Sequence, residues 1–270
     1  MYTRLELADL ILERIEKDKE LFKKEFQNSS QINSCVIDDL LPEHIALEIY
    51  KAFPEPDKMG EHRSIKENKK IAAQLNLYHP ILEEITFAIH DNRIVKLMEE
   101  ITGIKNMEPD SNLYAGGLSL MSEGNFLNPH LDNSHDNDRS RYRVLNLLYY
   151  VSPDWKLENG GNLELWDNGV KKQQRTIVSK FNRLALMITN KTSYHSVSKV
   201  VCPANRCCVS NYYFSSTPAE NESYFHVTTF YGRPEERFKR LVLPIDAFLR
   251  HAIRKIFKKG VVKTKHIYKK

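Results

Sequence analysis

Pro129-His130-Leu131-Asp132, answered much later by Tyr194-His195-Ser196-Val197, is the pair of stretches on which the reading of this chain turns. On a β-strand, residues two apart share a face, so His130 and Asp132 can address one ion. His195 must then arrive from another strand, and its long separation is what that requires. Two imidazoles and a carboxylate cover one face of an octahedral metal and leave the other three positions open. Arg206 lies eleven residues after His195 and starts a strand-like run, Arg206-Cys207-Cys208-Val209-Ser210-Asn211-Tyr212-Tyr213-Phe214. A fixed cation near an open metal position points to a bound dicarboxylate. An isolated His-x-Asp is a weak signal, so the sequence around it carries the weight.

Working outward, the pattern divides in two. Residues 4–26 read as an amphipathic helix, with Leu7, Leu10, Ile11 and Ile15 at helical spacing. Cys35-Val36-Ile37 reads as a short strand. Leu41-Pro42-Glu43 opens a helix that stops near Pro54, with the proline suited to its first turn. Residues 55–70 are polar and loop-like, and 79–104 carry one or two further helices. After about Asn112 the segments become short, β-rich and separated by Gly/Asn/Asp turns. The strands expected are 113–121, 143–151, 162–166, 174–178, 183–189, 194–201 and 206–214. Many short strands of this kind suggest a barrel or a double-sheet jelly roll. Helical spacing returns over 244–259, and 260–270 is expected to be a loose tail.

Composition sets the broad class. The chain has 270 residues, 41% hydrophobic and 28% charged, which is ordinary for a globular protein. No run of eighteen apolar residues offers a transmembrane helix, and the N-terminus lacks the apolar core of a secretory signal. Cys35, Cys202, Cys207 and Cys208 make neither a disulfide framework nor a zinc pattern, so a reducing, cytoplasmic setting is expected. The net charge of +5 hides an asymmetry: residues 233–270 hold thirteen Lys/Arg against three Asp/Glu, which leaves −5 for residues 1–232.

Residues 113–214 resemble the prolyl-4-hydroxylase type of 2-oxoglutarate/Fe(II)-dependent dioxygenase. Gly124 and Leu127 match the Gly six residues and the apolar residue three residues before the first ligand, and Asp132-Asn133 matches a common ending of that motif. Leu147-Leu148-Tyr149-Tyr150-Val151-Ser152-Pro153-Asp154-Trp155 is similar to the family's next strand and loop. Gly160-Gly161-Asn162-Leu163-Glu164-Leu165 looks like its Gly-Gly strand, and Phe181-Asn182-Arg183-Leu184-Ala185-Leu186 like the strand before the last histidine.

The resemblance implies that His130, Asp132 and His195 hold Fe(II), and that Arg206 pairs with the distal carboxylate of 2-oxoglutarate. It implies that Tyr150 reaches the same carboxylate. Ser210, four residues after Arg206, shares its strand face and can add a hydroxyl, and Cys208 should face inward between them. Alternation puts Asn146 and Leu148 on Tyr150's face. The implied reaction uses O2, decarboxylates 2-oxoglutarate to succinate and hydroxylates an unactivated C–H bond, with ascorbate as a candidate accessory. One departure stands out: family members often carry Tyr where this chain has Met121. His135 and Asp136 follow the motif closely but sit in a turn-like run, which predicts a solvated loop rather than spare ligands.

The C-terminal segment is a basic amphipathic helix. Ile245, Phe248, Leu249, Ala252, Ile253, Ile256 and Phe257 fall on one face, with Arg250, His251, Arg254, Lys255, Lys258 and Lys259 on the other. Such a helix either packs on the barrel or, over 245–270, meets an anionic membrane surface or an acidic polymer. Nucleic acid is not expected, and the localisation expected is cytoplasmic with a peripheral membrane position as an option.

The sequence therefore predicts one α+β domain: a helical N-terminal layer over 1–112, a double-stranded β-helix (jelly-roll) core over 113–232, and a basic helical extension over 233–270. The function expected is a 2-oxoglutarate-dependent Fe(II) hydroxylase acting on a prolyl or peptidyl, amino-acid, or sugar or lipid substrate. The rivals are a cupin-like metalloprotein of another reaction class and a non-enzymatic binding module on the same fold.

Overall fold

The structure, a computed structural model, describes residues 2–220, 222–256 and 267–269. Its N-terminal part contains α1 (Arg4–Lys17), α2 (Lys19–Asn28), β1 (Ser34–Ile37), α3 (Glu43–Lys51), β2 (Gly60–Arg63), β3 (Glu67–Ala72), α4 (Pro80–Ala88), α5 (Asn92–Thr102) and β4 (Met107–Pro109). The rest holds β5 (Gly117–Met121), β6 (Phe126–Leu131), β7 (Tyr142–Tyr150), β8 (Leu163–Leu165), β9 (Arg175–Ile177), β10 (Arg183–Ile188), β11 (His195–Val197), β12 (Arg206–Ser215), β13 (Thr229–Phe230) and α6 (Arg237–Ile256).

The strands form a curled antiparallel sheet in two halves. One runs β1-β10-β7-β12-β5 and the other β6-β11-β8-β9, and β3 pairs with both β5 and β6 to join them. From β5 to β12 the chain passes back and forth between the halves, which is jelly-roll topology. The N-terminal helices cover one face: α4 packs on β12, and α1 and α2 pack on α4 and α5. Leu145, Leu147 and Tyr149 join the core beneath them, while Asn146, Leu148 and Tyr150 line the interior cavity. Gly117 permits β3 to come down on β5: at its φ of 122° a Cβ would lie 2.4 Å from Ala72 O.

Several expectations need correction. The helix expected over 4–26 breaks at Asp18, which leaves helical geometry (φ −123°) and binds Arg14 Nη1 at 2.8 Å, so that Phe22 and Phe26 swing into the core. Pro42 precedes the first turn of α3 instead of lying in it. The stretch 55–70 is not loop throughout. It contains β2 and the start of β3, a hairpin whose Lys70–Glu61 pair (3.1 Å) and mostly half-exposed residues hide it from an apolar pattern.

The strand expected from 113 begins only at 117, because the Asp110 carboxylate accepts from the N–H groups of Tyr114, Ala115 and Gly116 and holds them in a turn. Likewise β11 covers only part of 194–201. Helix α6 starts at Arg237, earlier than expected, and the end of the predicted helix at 257–259 lies outside the described residues. Of the 260–270 tail expected to be loose, 260–266 and 270 lie outside the described residues, but 267–269 are docked. Tyr268 N donates to Asn112 O (2.9 Å), its hydroxyl donates to Glu83 (2.7 Å), and its ring packs on Phe87.

Candidate functional site

His130 lies near the end of β6, Asp132 just beyond it, and His195 opens β11 directly opposite His130 in the register. All three side chains are buried. His130 Nε2 is 3.5 Å from Asp132 Oδ1 and His195 Nε2 is 3.5 Å from Asp132 Oδ2, and the three donor atoms lie within 4.8 Å of one another. Metal–donor bonds of about 2.1 Å at right angles would set neighbouring donors about 3 Å apart.

The tautomers fit a metal. His130 Nδ1 lies 3.0 Å from Asn128 O, and His195 Nδ1 lies 3.0 Å from Ser193 O. A carbonyl only accepts, so each Nδ1 carries a hydrogen, and in the neutral ring Nε2 presents its lone pair. In that form two lone pairs and a carboxylate converge, an arrangement that a cation completes.

Asp132 is held from behind. Arg143 Nη1 donates to Oδ1 at 3.2 Å and Asn146 Nδ2 to Oδ2 at 2.8 Å, while Thr189 Oγ1 fixes Asn146 Oδ1 at 2.9 Å. Burial alone would raise the Asp132 pKa, but the Arg143 charge, then His195 and His130, hold it well below the ordinary carboxylate value. Burial, reinforced by His130, pushes His195 down to about 4, so the ring is neutral. Phe230 stacks on His130 at 5.0 Å and 17°. Behind His195, Ser196 Oγ donates to Glu164 Oε2 (2.6 Å) and accepts from Trp166 Nε1 (2.8 Å), and Glu164 pairs with Arg233 Nη2 at 2.6 Å.

The same cavity, about 420 Å³, takes in Arg206, Tyr150, Ser210, Leu148, Asn146 and Cys208 with the three ligand residues. Arg206 is buried, 5.3 Å over the Tyr150 ring, and its Nη2 lies 3.1 Å from the Met121 sulfur, its register partner on β5. Its Nε has no hydrogen-bond partner among the described residues. A desolvated guanidinium whose Nε lacks a partner, and whose neighbours are a thioether, the Tyr150 side chain and the Cys208 thiol, fits an anion that completes it. Burial raises the Tyr150 pKa, so its hydroxyl stays a donor.

Sequence reasoning missed Arg143. Strand alternation places Asn146, Leu148 and Tyr150 on the cavity side, and Arg143 falls out of that phase. A register shift between β7 and β12 at Tyr213/Phe214 restores it to the cavity. Tyr212 was within reach of the alternation from Arg206 through Ser210, and Asn133 stood in the motif ending Asp132-Asn133, whereas Tyr114 and Phe230 had no signal. His135 and Asp136 are not in a solvated loop. Both are buried: His135 packs on Tyr142 at 4.2 Å, and Asp136 accepts from Ser140 N (2.8 Å) and Arg141 Nε (3.0 Å). Neither joins the metal-ligating cluster. Cys35, Cys207 and Cys208 are buried and free, and Cys202 is half-buried.

Residues 116–214 match the family model of the 2OG-Fe(II) oxygenase superfamily. A Mus musculus protein, prolyl 3-hydroxylase OGFOD1, is 28% identical over 96 residues, 34% of this chain and only 17% of that relative's length. Among solved structures, a Pseudomonas putida prolyl-4-hydroxylase superposes with a TM-score of 0.53 at 14% identity, covering 77% of this chain and 98% of the other. A prolyl 4-hydroxylase from Phytophthora capsici gives 0.52 at 17% identity, covering 80% and 67%. At these identities the superpositions establish the fold, a jelly roll with flanking helices.

Proposed function

We propose that this chain, a member of the 2OG-Fe(II) oxygenase superfamily through its residues 116–214, is a hydroxylase that uses Fe(II), 2-oxoglutarate and O2. The observation that carries the reading is one cavity lined by both the His130/Asp132/His195 cluster and a buried Arg206 that no carboxylate partners among the described residues.

His130, Asp132 and His195 would hold the iron. Arg206 would take the distal carboxylate of 2-oxoglutarate with its planar fork, supported by the Tyr150 and Ser210 hydroxyls. Iron(II) and 2-oxoglutarate together supply the oxidative decarboxylation that places one oxygen atom of O2 on a C–H bond. The chain's own residues supply position. Arg143 and Asn146 orient Asp132 and keep it ionised, and the two backbone carbonyls fix the imidazole tautomers. Leu127, Leu163, Val197 and Phe230 line the cavity and keep water from the reacting centre.

The cavity continues past Tyr114, Asn133 and Tyr212 to the partly exposed His62, Glu67, Lys69 and Arg250. That polar approach suits a substrate with amide or hydroxyl groups beside the reacting carbon. A prolyl or other peptidyl side chain leads, supported by the names of the relatives above; a free amino acid and a sugar or lipid intermediate are the further classes to screen.

The test is the visible iron-to-ketoacid absorption band formed without oxygen when Fe(II) and then 2-oxoglutarate are added. It is expected in the native chain, lost in His130→Ala, and shifted to much higher 2-oxoglutarate in Arg206→Ala. A folded, iron-loaded protein with no band overturns the reading and returns the cupin-like and binding-module alternatives.

A further inference from the structure

Helix α6 packs inward through a narrow face. Leu243 and Ala247 are buried there, and Asp246 takes Lys66 Nζ at 2.7 Å and Arg250 Nε at 2.9 Å. Arg250 also lines the catalytic cavity. At 3.6 residues per turn the opposite side carries Phe238, Leu241, Ile245, Phe248, Leu249 and Ile253. These six are 43% to 73% exposed. Single exposed apolar residues are ordinary, but six along one helical face make a continuous stripe that calls for a partner.

Beside the stripe runs a groove of about 520 Å³ that includes Lys171, Tyr231, Arg237, Arg240, Leu241 and Pro244. Among the described residues, Lys171, Arg237 and Arg240 have no carboxylate partner, and Arg240 Nη1 reaches only the Pro234 carbonyl at 3.4 Å. Residues 233–270 carry a balance of +10 against −5 for the rest of the chain. Apolar side chains in a row, flanked by unpaired cations, match a lipid interface, where the first sit among acyl chains and the second at headgroups. The core of a protein–protein interface is instead depleted in charge.

We propose that α6 docks this protein peripherally on an anionic lipid surface, with a headgroup phosphate in the Lys171/Arg237/Arg240 groove. The inner face of the same helix borders the catalytic cavity through Arg250, so docking brings the cavity beside the lipid and favours substrates presented there.

The full chain should be cosedimented with vesicles of phosphatidylcholine alone and of phosphatidylcholine with added phosphatidylglycerol. Binding is expected on the second and near baseline on the first, and it should fall as salt is raised. Arg237→Glu and Arg240→Glu should each weaken it by roughly fivefold or more. Leu241→Glu combined with Phe248→Glu should weaken it by roughly tenfold or more. Arg237, Leu241 and Phe248 are exposed and Arg240 is half-buried, and unchanged circular dichroism and Fe(II) binding would certify the fold of each variant. Equal binding to both vesicles, binding to neither, or binding indifferent to these substitutions overturns the proposal. So does a dimer, seen by light scattering, that Phe248→Glu splits, since the stripe would then belong to a second copy of the chain.

Discussion

Arg143 reaches Asp132 with Nη1 at 3.2 Å, although β7 and β6 belong to different halves of the sheet. The contact sets how acid the site can become before it releases metal. Without the guanidinium, the Asp132 carboxyl moves up from its lowered value, and a proton competes with the metal at higher pH. Arg143→Met should therefore lose Co(II), a visible substitute for Fe(II), at a pH about one unit or more above the native chain. The Co(II) absorption bands, followed from neutral pH downward, make the measurement. An unmoved acid limb would show that Arg143 does not govern this carboxylate.

Arg206→Lys keeps the charge but gives up the fork that can engage two carboxylate oxygens at once. The half-saturating 2-oxoglutarate concentration should rise about tenfold to a hundredfold, with iron affinity unchanged. Titration of the iron-to-ketoacid band separates the two quantities. A variant indistinguishable from the native chain would remove Arg206 from cosubstrate binding.

Buried Glu164 and the partly buried Arg233 pair at 2.6 Å and tie the segment leading into α6 to the strand beside His195. Removing one partner strands the other charge. Glu164→Ala should reduce stability by about 3–5 kcal/mol, and the double variant with Arg233→Ala should lose less than the two single losses combined. Urea unfolding of the four proteins decides it. Additive losses would mean the two side chains act independently.

His90 and His226 are pushed by burial from 6.5 down to about 4, so both are neutral in the fold. The unfolded chain takes up a proton at each near its ordinary pKa. Their contribution is complete above that value and shrinks as pH falls toward the folded value, by up to about 3 kcal/mol per ring. Stability measured at about pH 7 and about pH 5 should therefore drop in the native chain, and drop less when His90→Gln and His226→Gln are combined. An equal drop in both proteins would place the acid sensitivity elsewhere.

The site was legible where chemistry and alternation coincide. His130 and Asp132 sit two apart, and His195 arrives from the neighbouring strand. Arg206, Cys208 and Ser210 follow a strict period of two into the cavity. Legibility stopped where backbone geometry intervenes without altering residue types. The shifted register beside Tyr213 returns Arg143 to the cavity, and the Asp110 carboxylate turns 114–116 out of the strand. The β2–β3 hairpin escaped for another reason: it earns its place by main-chain pairing, and its side chains show almost no apolar signal. A C-terminal helix was expected and α6 is one, but its apolar side looks outward, which no periodicity specifies.

The joining role of β3 has an evolutionary corollary. The strand is held to β5 and β6 by peptide groups, which every residue type except proline supplies, while its own and β2's side chains, His62, Glu67 and Lys69 among them, form part of the cavity's entrance. Variation there redraws what can enter without disturbing His130, Asp132, His195 or the folding that brings them together. In this architecture a lineage can exchange one substrate for another at the clasp while inheriting the reactive centre intact.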